Sequence, residues 1–113
     1  MSRHLAPLLL CSLLAAIAPL HAQTADNAEL AQLHRADQDA RRNAADIDWT
    51  IVAPEDAERR KRVLALMREG AMRIAVDHYR AAMMFQHDAG LDDIRIAHAL
   101  ATLASTLAPD EIS

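Results

Sequence analysis

The chain has 113 residues, a formal net charge of −4 at pH 7 and 52% hydrophobic residues, yet only one Trp, one Tyr and one Phe. That length allows one small domain. Its mild acidity argues against a nucleic-acid binder, because the one basic run, Arg59-Arg60-Lys61-Arg62, follows Glu55, Asp56 and Glu58 and reads as a solvated helix with acids in its first turn.

In chain order, residues 1–22 read as a signal peptide. Arg3 makes a positive start, LAPLLLCSLLAAIAPL is the apolar run, and the small Ala22 marks the cut. Pro7, Pro19 and the want of about 20 clean apolar residues argue against a membrane span, so membrane contact is expected only in transit. Leu10 precedes Cys11 where a lipid-anchor signal wants a small residue. The expectation is therefore a periplasmic or secreted domain over residues 23–113. It keeps no cysteine and depends on a thin, alanine-rich core.

No strand pattern appears, and the fold class expected is all-α: three to four antiparallel helices in a small bundle or helical-hairpin stack. A first helix is expected near 27–45, on the stripe Leu30, Leu33, Ala36, Ala40, Ala44 and Ile47. Trp49, Ile51 and Val52 then read as an apolar anchor pinning the connection to the core. Asp46 and Asp48 lack the further ligands of a calcium loop. A second helix is expected near 54–69, opening on Pro54, turning Ala57, Val63, Leu64 and Met67 inward, and stopped by Gly70. A third is expected near 72–87 and a fourth near 93–107, capped by Asp92 or Asp93. Short links at Gly70 and Gly90 make neighbours antiparallel.

Helical phase sorts the polar residues. Glu69, Arg73, Asp77 and Arg80 form a solvated ion-pair run, while His78 and Gln86 fall on the inner face with Ala75, Ala82 and Phe85. His87 suits the C-terminal end of the third helix, where it complements the negative pole. On the fourth helix Ile96, Leu100, Leu103 and Leu107 form the apolar face, with His98 opposite. His87 and His98 flank the Gly90 turn with Asp93, a donor set that suits Zn²⁺, although no strong zinc motif is present. Met83, Met84 and His87 have the spacing of a soft Cu(I) site, against which stands methionine as core filler. The expected domain has no cysteine and no readable Ser-His-acid set, so no catalytic residue is assigned and an enzyme ranks last.

The stretch GAMRIAVDHYRAAMMFQHDAGLDDIRIAHALATLA, Gly70 to Ala104, resembles a family of uncharacterised bacterial secreted proteins with a domain of unknown function. That family pairs a charged helix and a tryptophan with a hairpin of the form YxxAAMxFQH…AHxLA. Asp77, Tyr79, Ala81, Ala82, Met83, Phe85, Gln86 and His87 match it, as do Asp93, Ala97, His98, Leu100 and Ala101. His78, Arg80, Asp88, Ile94 and Arg95 depart from it. Members continue into a further tryptophan-containing helix, whereas this chain stops at LAPDEIS, so a short or C-terminally truncated member is expected. The resemblance implies no known activity. It directs attention to Tyr79, Gln86, His87, Asp93 and His98 as ligand-binding residues, with His87 and His98 as the metal pair.

The function expected from these readings is a protein-interaction or structural module that docks a protein partner or a second copy through an apolar helical face. The alternative is a metal or small-ligand site at the turn between the last two helices.

Overall fold

The computed structural model of the chain describes residues 25–87 and 90–108; the signal peptide expected over residues 1–22 lies outside the described residues. Among the described residues there are four α-helices and no strand, so the chain is all-α. The helices are α1 (Ala28–Asp39), α2 (Trp49–Arg68), α3 (Ala75–Phe85) and α4 (Leu91–Leu107), with a short 3-10 turn, Ala44–Asp46, between α1 and α2.

Helix α1 starts where the Asn27 side chain accepts the amide of Leu30. It ends at Asp39, earlier than its alanine stripe suggests. The last turn tightens, with the Arg41 amide donating to the Gln38 carbonyl and the Arg42 amide to that of Asp39. The Arg41 guanidinium also takes the free carbonyl of Asp37, so the chain leaves the helix there.

Helix α2 begins at Trp49, five residues ahead of Pro54. Asp48 is its cap and accepts from the Thr50 amide and hydroxyl at 3.0 and 2.6 Å. Pro54 sits inside the helix, where the missing N–H leaves the exposed Thr50 carbonyl to water. Trp49 is 57% exposed and Ile51 equally open, so only Val52 of the expected anchor is buried. The helix ends in a Schellman turn. The Ala71 amide bonds Leu66 O, the Gly70 amide bonds Met67 O, and Gly70 adopts a φ of +68°.

Asp77 explains the late start of α3. It is 1% exposed rather than part of a solvated run, and its carboxylate accepts from the amides of Asn27, Arg73 and Ile74 at 2.9, 3.1 and 3.4 Å. Asn27 Nδ2 completes the clasp by donating to the Ala71 carbonyl. One carboxylate thus caps α3 and fastens the start of α1 to it. With Asp77 inside, Arg80 pairs with Asp26 and Glu69 with Arg62.

The core gathers Leu30, Val63, Leu66, Met72, Ala81, Ala82, Met84, Phe85, Ala97 and Leu100. Ala57, expected inside, is exposed, and Leu66 takes the inner place instead. Helices α3 and α4 form the most extensively packed pair, and α1 and α2 pack on α3 and on each other. Among the described helices, the α4 backbone packs against α3 alone. Its first turn carries Asp92 and Asp93 inside the helix, with Gly90 in the cap position.

Candidate functional site

The described residues converge most strongly at a buried polar chain that crosses three helices. At its centre is Asp37 of α1, 1% exposed. One carboxylate oxygen accepts from Arg41 Nη1 at 3.1 Å; the other accepts from Gln38 Nε2 at 2.9 Å and lies 3.0 Å from His87 Nε2. Arg41 continues the chain to α2, donating through both terminal nitrogens to the buried Asp56. Arg59 Nη2 closes on the same carboxylate at 2.6 Å, and its Nη1 lies 3.6 Å from Glu55. Arg41 also sits 5.9 Å from the centre of the Trp49 ring, a cation–π distance.

The charges in this chain nearly balance, as burial requires. Removing one partner of such a pair typically costs about 3–5 kcal/mol, because the other charge is left unmatched. Burial alone would raise the Asp56 carboxyl, but hydrogen bonds from Arg41 and Arg59 outweigh it and hold the group below the usual carboxylate range. Beside this polar chain two buried atoms lack partners, the Nε2 of His34, one turn before Asp37, and the Nε of Arg59. Arg59 lines an open groove of about 430 Å³ together with Leu33, Pro54, Glu55 and Glu58.

Against this frame, the residues singled out from the sequence disperse. His87, 17% exposed, turns to α1 and bonds Asp37 instead of capping its own helix, which ends two residues before it. Its Nδ1 makes no hydrogen bond to a described residue. Asp93 of α4 pairs with Arg60 of α2 at 3.0 Å. His98 is exposed, and its carbonyl accepts from the Thr102 hydroxyl. Tyr79 is exposed. Gln86, expected on the inner face, is exposed because the helix ends at Phe85, and its Nε2 contacts Met83 Sδ at 3.3 Å. Met84 points into the core, away from the surface that His87 occupies. No group of three or more His, Cys, Asp or Glu side chains among the described residues is placed to hold a metal ion.

The structure adds His34, Asp37, Gln38 and Arg41, which the sequence reading passed over, and it overturns the reading of Asp56 and Arg59 as part of a solvated face, since both side chains are drawn inside by their pairing. A signal for them exists. Asp37 stands in phase with Leu30 and Leu33 on α1, and Asp56 and Arg59 stand in phase with Val52, Val63 and Leu66 on α2. A charge in a core stripe must be paired, and each acid has an arginine three or four residues on.

Comparison with protein-family models, with curated proteins and with solved structures found no match.

Proposed function

We propose that this chain is an exported helical interaction module of the uncharacterised secreted family that its last two helices resemble, docking a protein partner or a second copy through the outer edge of α4. One observation carries the reading. Helix α3 covers the Ala97, Leu100 and Ala104 face of α4, leaving Leu103 and Leu107, one turn apart, exposed along one edge, with Leu91 and Ile94 exposed on the other edge near the start. Contiguous exposed apolar side chains on a small domain mark interaction sites. The test pairs sedimentation of the purified chain over a concentration series with binding of an apolar dye. The native chain is expected to self-associate or to bind the dye, and Leu103→Glu with Leu107→Glu to lose both while keeping its helicity. A monodisperse native chain that binds no dye defeats the reading.

A second reading, a metal or small-ligand site at the α3–α4 turn, draws on His87. A histidine whose one nitrogen faces a buried carboxylate and whose other is unengaged has the arrangement of a metal ligand backed by an orienting acid. His87→Ala and His98→Ala should each weaken Zn²⁺ binding measured by calorimetry; unchanged affinity in both discards it.

A further inference from the structure

His87, just past the end of α3, bonds the buried carboxylate of Asp37, and His34 lies one turn before that carboxylate on α1 without bonding it. Asp37 spends its three contacts on Arg41, Gln38 and His87. His34, on the same helix, is left with a buried Nε2 and no partner. Asp37 therefore hydrogen-bonds the His87 ring and makes no hydrogen bond to His34.

The charges that face His34 can be named element by element. From α3 comes Arg80 and from the turn after it His87, both of which oppose a positive charge on it; from its own helix comes Asp37, which favours one. Helix α2 reaches this nook through Asp56, already bonded by Arg41 and Arg59. The α4 backbone does not pack against α1. A proton on His34 would thus enter a nook where arginines already match the two buried acids.

We propose that the His34–Asp37–His87 nook is an acid-operated latch, in which a proton taken by His34 releases the C-terminal half of α1 from α2 and α3. The segment is suited to letting go. Apart from Asp37, α1 buries only Leu30 and Ala31 fully, and both lie in its first half, beside the Asn27–Asp77 clasp. Its second half is held chiefly by the polar chain through Asp37 and Arg41. Burial pushes the His34 imidazole below its ordinary value, with Arg80 and His87 adding to the effect, which sets the release on the acid side of neutrality.

Trp49, the only tryptophan, lies over Arg41 and reports on the latch directly. The experiment follows Trp49 emission and far-UV circular dichroism of the full chain from pH 7.5 to 5.0. Emission is expected to change in a titration below pH 6.5, with most of the helical signal retained. His34→Gln should move that midpoint down by about one pH unit or remove it. Flat emission, emission and helicity lost together in one global transition, or an unaltered profile in His34→Gln each overturns the latch. Should His34→Gln not fold, the His34 ring is titrated by NMR in the native chain. A midpoint below that of an unstructured peptide histidine sustains the proposal, and one at or above it overturns it.

Discussion

His78 shows how much a single imidazole can contribute without any ligand. It lies half-buried on α3 with its Nδ1 enclosed and unpartnered, and burial lowers its proton affinity although the neighbouring Asp77 carboxylate raises it. The folded state therefore binds this proton less readily than the unfolded chain. The resulting stability is fully present above the ordinary imidazole value of 6.5 and is lost as the pH falls from there to the lower folded-state value. Thermal melts at pH 7.5 and 5.5 should show a lower midpoint in acid, and His78→Gln should flatten that dependence. His34, lowered in the same direction, adds to the slope of the global melt, while Trp49 reads its step alone. A melting midpoint that does not drop in acid contradicts this account.

Among the helices, Gly70 is the residue whose backbone alone closes an element. Its positive φ ends α2, and no atom lies near enough to obstruct a methyl group there. Gly70→Ala should therefore cost only the left-handed backbone penalty, about 1–2 kcal/mol, with Gly70→Asn less damaging. Denaturant melts read the difference; equal stabilities for the two variants would mean that the turn does not need that conformation. Gly70 was legible in the sequence as a stop, as were four helices and the inward Val63, Ala82, Phe85 and Leu100. What escaped was wherever a side chain overrode propensity. Pro54 drew the predicted start of α2 away from the Asp48 cap. Asp77, in phase with solvated neighbours, is held inside by the nearby amides of Arg73 and Ile74 and by that of Asn27, which only the folded chain brings to it. The Asp37–His87 contact joins residues 50 apart, and neither helix alone reveals it.

For the molecule as a whole, this domain is held at two kinds of seam. The α3–α4 pair rests on apolar contact between near neighbours, with Phe85, Met84, Ala97 and Leu100 at its centre. Helix α1 is fastened more by polar bridges, the Asn27–Asp77 clasp at one end and the Asp37 chain at the other. The apolar seam explains why the hairpin stands out in the sequence, since its periodicity is local. The polar seams are long-range and carry no period. The open edge of α4 belongs to the first kind of seam, left without a second side.

The Asp77 clasp also has a meaning in time. Its bond to the Asn27 amide closes a loop of 50 residues, whereas the helix it caps needs only its own neighbours. Local contacts form before distant ones, because the entropy of loop closure has to be met before the contact returns anything. The α3–α4 hairpin should thus be structured in the folding transition state, and the docking of α1 should come after it. Asn27→Ala should then speed unfolding while hardly changing the refolding rate, and stopped-flow chevrons would show the unfolding limb alone displaced. The carboxylate that begins one helix is, on this view, a late catch to close and an early one to open.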